Sequence, residues 1–181
     1  MIIGISGRMG SGKDTVAEII KRQFKDKNFE IISFADPLKN FCVQYLGLSY
    51  DDVYTQEGKM KFNEFWNMTN REILQKVGTD ALRNGFDKDV WVKIMELHIL
   101  NNSQKNFIIP DVRFDNEAEL VNKHSGIMLN IVRDGVNKDT HVSEKGISKE
   151  LILFNINNNK TLYDLESEVC WRLREFFESA W

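Results

Sequence analysis

The sequence predicts an α/β fold built on a parallel sheet with helices on both faces. Three observations carry this reading. Apolar runs alternate with helical patterns along the 181 residues. The first run, Met1 to Ile5, opens into a glycine-rich stretch and then a helical stripe. The run Phe107-Ile108-Ile109 carries no polar interruption, as befits a strand buried on both faces.

The first strand leads into Gly7-Arg8-Met9-Gly10-Ser11-Gly12-Lys13-Asp14-Thr15. This meets every position but the last of the phosphate-binding loop, a glycine-rich turn ending in Gly-Lys and Ser or Thr. Glycines let successive N–H groups converge on one anion, and the following helix N-terminus favours negative charge. Lys13 adds a point charge for the outer phosphates. Asp14 departs from the pattern, because a Ser or Thr there usually holds Mg²⁺. A glycine turn without ligand is the plain alternative, but a strand before and a helix after favour the phosphate site.

Val16, Ala17, Ile19, Ile20 and Phe24 form the stripe of the first helix. Ile31 to Phe34 reads as the second strand. Asp36 then reads as an N-cap with Pro37 at the first helical position, and Gly47 ends that helix. Residues 48–68 show no clear period and read as a partly helical, mobile excursion. Thr69-Asn70-Arg71-Glu72 is a capping box. Gly78-Thr79-Asp80 should break or kink the helix it starts. A further helix, capped by Asp87, places Val90, Trp91, Ile94, Leu97 and His98 inward and ends at Asn101-Asn102. Phe107 to Asp111 is the third strand, with Pro110 at its end. Asp115 caps a helix through Ala118, Leu120 and Val121. Ile127–Val132 and Leu151–Ile156 are the fourth and fifth strands, separated by a polar flap. The Asn157-Asn158-Asn159 turn leads to a long last helix.

Composition narrows the function. A chain of this length makes one domain, residues 1–181, the default. The net charge of −3 gives no basic field for nucleic acid, so any anion site must be a local cluster. No apolar run has the length of a membrane span, and the N-terminus lacks a signal-peptide pattern. Cys42 and Cys170 fall on apolar helix stripes and read as buried thiols of a reducing cytoplasm. The three histidines show no metal-ligand spacing with them.

Ligands of such sheets bind beyond the carboxyl ends of the strands. Asp36 and Lys39 follow the second strand, Asp111 and Arg113 the third, and Arg133 the fourth. Arg suits a fixed grip on phosphate oxygens. Arg22 and Arg83 read as surface residues, and Arg71, inside the long insertion, is open on spacing. Asp111 reads as the acid of a Walker B strand that orders Mg²⁺ through water.

These residues resemble the bacteriophage deoxynucleoside monophosphate kinases, within the P-loop nucleoside monophosphate kinases. The resemblance runs through the loop with Asp14-Thr15, Ser33-Phe34-Ala35-Asp36-Pro37-Leu38-Lys39, the segment Arg71 to Asp80, and Trp91-Val92-Lys93. It continues through Pro110-Asp111-Val112-Arg113 with Asn116-Glu117, and Val132-Arg133 followed by Asp139 to Glu144. Asp followed by Thr looks like this family's own version of the loop.

The resemblance implies a P-loop kinase with strand order 2-3-1-4-5. It divides the chain into core 1–35, an acceptor-binding insertion 36–104, core 105–132, a lid 133–148 and core 149–181. It implies transfer of the γ-phosphoryl of ATP to a deoxynucleoside 5′-monophosphate, with Mg²⁺. Gly10, Ser11, Gly12, Lys13, Asp14 and Thr15 would hold ATP, and Asp14 and Asp111 the metal. Phe34, Asp36, Lys39, Arg71, Gln75 and Arg113 would bind the acceptor. Lys13, Arg113 and Arg133 would be catalytic, with His141 and Glu144 in the lid. Phe34, Trp66 and Phe86 are unranked candidates for refusing the ribose 2′-hydroxyl. The chain looks short for a phage member, which bears on acceptor specificity. The resemblance suggests a homodimer and a cytoplasmic location, that of the host if phage-encoded. The alternatives are a kinase for another phosphorylated acceptor, such as dephospho-coenzyme A, and a non-catalytic nucleotide-binding regulatory module.

Overall fold

The computed structural model describes residues 1–135 and 146–179. It divides into two compact units, a sheet unit of Met1–Ser33 with Leu100–Trp181 and a helical unit of Phe34–Ile99. In chain order the elements are β1 (Ile2–Gly7), α1 (Lys13–Gln23), β2 (Phe29–Ile31), α2 (Asp36–Leu46), α3 (Tyr50–Tyr54), α4 (Gln56–Met60) and α5 (Asn70–Gln75). Then come α6 (Val90–Asn101), β3 (Asn106–Ile109), α7 (Asp115–Lys123), β4 (Ile127–Val132), β5 (Phe154–Asn157) and α8 (Leu162–Ser179).

The five sheet strands are all parallel, in the order β2-β3-β1-β4-β5, as the resemblance implied. The apolar strand β1 sits in the centre, with Ile3 beside Ile108 on one side and Ile127 on the other. Side chains alternate across the pleat. Ile3 and Ile5 pack with Val16 and Ile20 of α1 and with Leu165, Val169 and Leu173 of α8. Gly4 faces the opposite side, where a Cβ would lie 3.1 Å from Val121 of α7. Helices therefore cover both faces, and β1 delivers its last residues to the carboxyl edge.

Two strands start later or earlier than their apolar runs predict. The second strand covers Phe29–Ile31 rather than Ile31–Phe34. Asn28 turns the chain in the left-handed region (φ 49°), so pairing begins at once. Ile32 N–H still donates to Ile108 O at 3.0 Å, and Phe34 already belongs to the helical unit. The fifth strand is Phe154–Asn157, because Lys149–Leu151 form a 3₁₀ turn instead.

The helical unit has its own core of Cys42, Leu48, Val53 and Ile73, flanked by Leu38, Leu46, Tyr54, Met68 and Val77. Residues 48–68 are more ordered than their lack of periodicity predicts. They form α3, α4 and a hairpin of Phe62–Asn63 with Met68–Thr69. Asn70 is buried and its side-chain amide donates to Gly58 O at 2.8 Å, tying α5 to α4.

Thr69 and Glu72 make the expected capping box, with Glu72 N–H donating to Thr69 Oγ1 at 3.2 Å and Thr69 N–H to Glu72 at 2.7 Å. The expected break at Gly78-Thr79-Asp80 does not occur. The chain continues as a π-helical segment, Lys76–Asn84, in which the wider turn displaces backbone groups from the ordinary pattern. The Trp91 indole N–H donates to Gly78 O at 3.0 Å. Leu38 packs closely on Gly78, where a Cβ would lie 2.5 Å from its side chain.

Two finer expectations also change. Asp36 is the first residue of α2 and Ala35 occupies the cap, so Pro37 falls one position later. On α6 the buried face is Val90, Trp91, Met95 and Ile99, while Leu97 is 60% exposed. The inner stripe follows the i, i+4, i+8 row from Trp91. Cys42 is buried but Cys170 only half-buried, and both are free thiols.

Candidate phosphate-transfer site

The loop between β1 and α1 is shaped as the glycines predict. Gly12 precedes the helix in the left-handed region (φ 99°), a conformation costly for any side chain. Ser11 N–H donates to Arg8 O at 3.1 Å, and Val16 N–H to Gly12 O at 3.0 Å. The N–H groups of residues 13–15 thus begin α1 without an earlier helical partner. The Ser11 hydroxyl is buried with no hydrogen-bond partner, which a phosphate oxygen would supply.

Lys13 folds back over this turn. Its ammonium donates to Gly7 O at 2.7 Å and Arg8 O at 2.9 Å. Arg133, just past β4, reaches the same loop, its guanidinium donating to Gly10 O at 3.3 Å. Two cations of the predicted set therefore meet one anion-shaped turn. Asp14 and Thr15 are exposed on the first turn of α1.

Asp111 stands just beyond β3, which pairs directly with β1. The hydroxyl of Ser33, at the exit of β2, donates to its carboxylate. Carboxylates and hydroxyls are the oxygen ligands that hard cations such as Mg²⁺ take. Among the described residues no group of three or more His, Cys, Asp or Glu gathers as a metal cage. A divalent ion here would be held chiefly by nucleotide phosphates and water, with one or two carboxylates.

Arg113 follows on an exposed turn, and a buried group shapes that turn. Glu117, 3% exposed, accepts the backbone N–H of Arg113 at 2.8 Å and that of Phe114 at 3.2 Å. Asp115 does not cap α7 as expected. Its carboxylate accepts the N–H and hydroxyl of Ser148, each at 2.7 Å.

In the helical unit, Asp36 accepts from the Tyr54 hydroxyl at 3.3 Å. The Lys39 ammonium lies 3.9 Å from the Asp36 carboxylate and 4.3 Å from the centre of the Tyr54 ring. Burial, and then the neighbouring Asp36 charge, push the Tyr54 hydroxyl up to about 12. Arg71 donates to Gln56 Oε1 at 3.2 Å, while its Nε is buried without a partner. Phe34 is buried, Gln75 and Phe86 are exposed, and Trp66 donates its indole N–H to Leu46 O at 2.9 Å. His141 and Glu144 lie outside the described residues.

Sequence reasoning gave no separate role to Ser33, Tyr54, Glu117 or the asparagines at the carboxyl edge. Ser6 donates to Asn130 Oδ1 at 3.2 Å, and Asn130 to Asn155 Oδ1 at 2.8 Å. Polar residues inside otherwise apolar strands were the available signal.

A family model for deoxynucleotide monophosphate kinase matches residues 48–169. The chain belongs to the deoxynucleotide monophosphate kinase family. A protein of Acanthamoeba polyphaga mimivirus assigned to this kinase activity is 35% identical over 189 residues, spanning 93% of this chain and 94% of that protein. The deoxynucleotide monophosphate kinase of Enterobacteria phage T4 is 30% identical over an alignment of 134 positions that covers 65% of this chain and 56% of the phage kinase. The deoxynucleoside-5′-monophosphate kinase of Escherichia phage T5 is 25% identical across 87% of this chain and 89% of its own length.

Among solved structures, dephospho-CoA kinase from Campylobacter jejuni superposes with a TM-score of 0.55 at 17% identity, covering 99% of this chain and 98% of that one. Shikimate kinase from Bacteroides thetaiotaomicron gives 0.50 at 15% identity, covering 98% of each chain. These likenesses establish the P-loop kinase fold of this family member and leave its acceptor to the site.

Proposed function

We propose that the protein transfers the γ-phosphoryl group of ATP to a deoxynucleoside 5′-monophosphate, giving the diphosphate and ADP. The observation that carries this is the loop Gly7 to Lys13, with the Ser11 hydroxyl buried and unpartnered and two cations turned onto it. Family membership supports a deoxynucleotide as the acceptor.

Gly10 to Thr15 hold the donor phosphates. Lys13 exchanges the carbonyls of Gly7 and Arg8 for phosphate oxygens. The acceptor is already an anionic nucleophile, so no general base is required. The obstacle is repulsion between two polyanions, which positioned positive charge offsets. Arg133 serves the transferring group. Arg113 grips the acceptor phosphate, its backbone held by Glu117. Arg71, with an orphaned guanidinium nitrogen, is assigned to the acceptor along with Phe34, Asp36, Lys39 and Gln75. Asp14 and Asp111 would hold Mg²⁺, which when bound neutralises part of the donor phosphate charge. Free thiols at Cys42 and Cys170 fit a reducing cytoplasm.

The test is ADP release from ATP with deoxynucleotides, ribonucleotides and dephospho-coenzyme A offered separately. Deoxynucleotides are expected to raise turnover well above the acceptor-free rate. No stimulation by any of them overturns the proposal, and stimulation by dephospho-coenzyme A alone replaces it. Arg113→Ala should raise the acceptor KM about 10- to 100-fold, the loss of a charge-assisted contact, and leave ATP binding intact.

A further inference from the structure

The turn after β5 is more than a connection to α8. Its three asparagines each make a hydrogen bond that shapes the carboxyl edge. Asn157 Oδ1 accepts the Asn159 N–H at 3.0 Å, bracing the turn on itself. Asn159 Oδ1 accepts the Asp134 N–H at 2.7 Å, and Asn158 N–H donates to Val132 O at 2.8 Å. Those two bonds bracket Arg133. The Asn158 side chain turns the other way, its amide donating to Ser11 O at 2.7 Å. A carbonyl only accepts, so the nitrogen of that amide must face Ser11.

That single contact fixes a peptide plane. In a trans peptide the carbonyl and the next N–H point to opposite sides. Holding the Ser11 carbonyl toward β5 therefore turns the Gly12 N–H away from it. The amide also approaches Gly12, where a Cβ would come within 2.5 Å of the Asn158 nitrogen. The φ of 99° at Gly12 already disfavours a side chain there.

We propose that Asn158 is a positioning residue for the donor nucleotide, fixing the Ser11–Gly12 peptide so that the Gly12 N–H serves the phosphate cradle. This rests on the loop binding ATP as proposed above. A freely rotating peptide would lose one aligned donor and present a carbonyl oxygen to the phosphates for part of the time. Asparagine fits because it supplies a donor on a side chain short enough to lie beside Gly12.

The experiment measures ATP affinity by calorimetry without acceptor, alongside thermal melting and the KM for the deoxynucleotide. Asn158→Ala is expected to weaken ATP binding about tenfold, with the acceptor KM unchanged. Asn158→Asp, of equal size but without the donor, should weaken it further by setting a carboxylate against a carbonyl and the phosphates. Asn159→Ala, which loses only the contact to Asp134, should bind ATP as the unmodified protein does. ATP affinity within twofold in both Asn158 variants overturns the proposal. So does an equal loss in Asn159→Ala, which would assign the effect to the turn as a whole. If Asn158→Ala does not fold, the aspartate variant carries the test. Failure of the kinase reading itself is distinguishable, since it appears as no acceptor-stimulated ADP release from the unmodified protein.

Discussion

The Lys13 ammonium holds two backbone carbonyls of its own loop, at 2.7 and 2.9 Å. It is therefore placed over the turn, where under the proposed function it need only exchange these carbonyls for phosphate oxygens. Loss of such a preorganised charge at a transferring group typically costs ~10²-fold or more in rate. Lys13→Ala should fall at least that far in kcat, with its melting temperature nearly unchanged, in a steady-state assay beside a thermal melt. Lys13→Arg should not restore it, because a planar fork cannot occupy the position of a compact point charge. Lys13, Asp111 and Arg113 were singled out from the sequence because their types and spacing suit phosphate chemistry. Asn158 and Ser33 were not, because each acts on a residue distant in sequence, Ser11 and Asp111 respectively. An asparagine in a turn gives no hint of which carbonyl it will meet.

At the scale of elements, the helical unit relies on local devices. The Thr69–Glu72 box satisfies the first turn of α5, and Ser49–Asp52 does the same for α3. Replacing such a cap typically costs ~1 kcal/mol. Thr69→Ala should destabilise the protein by about that amount in a denaturant titration, with ATP binding unaffected. The capping box was readable because it is written within four consecutive residues. The π-helical segment was not. Gly78-Thr79-Asp80 has the composition of a helix break, and tertiary contacts decide otherwise. Leu38 packs against the bare Gly78 backbone and the Trp91 indole takes up its carbonyl. The same reason shifted the inner face of α6, since Trp91, Met95 and Ile99 are buried in preference to Leu97.

For the molecule as a whole, acid should be the vulnerable side. Carboxyls in both units are held below their ordinary range by hydrogen bonds. Glu72 is lowered by the Thr69 N–H and then its hydroxyl, Asp115 by the Ser148 hydroxyl and then its N–H, and Asp164 by the Thr161 hydroxyl and then its N–H. A carboxyl with a depressed folded pKa contributes stability above its unfolded value, about 4, and loses it as pH falls further. The melting temperature should be flat above about pH 5 and decline below about pH 4. These carboxyls are largely exposed, so each contributes little and the decline should be gradual. A melting temperature that stays constant from pH 6 down to pH 3 would refute this. The architecture was legible because β1 and β3 are mostly apolar, as suits strands at the centre of a parallel sheet. The ends of β2 and β5 were not, because edge strands are defined by pairing more than by composition.

The central place of β1 also sets an order on synthesis. Its neighbours are residues 106–109 and 127–132, both made long after it. During translation, at roughly 5–20 residues per second, the first strand emerges with no partner strand yet in existence. In the helical unit the core of Cys42, Leu48, Val53 and Ile73 is made before either of those partner strands. A nascent chain of this protein thus carries β1 unpaired while every residue of the Cys42–Ile73 core is already present. The loop after β1 is thus translated before either strand that pairs with β1.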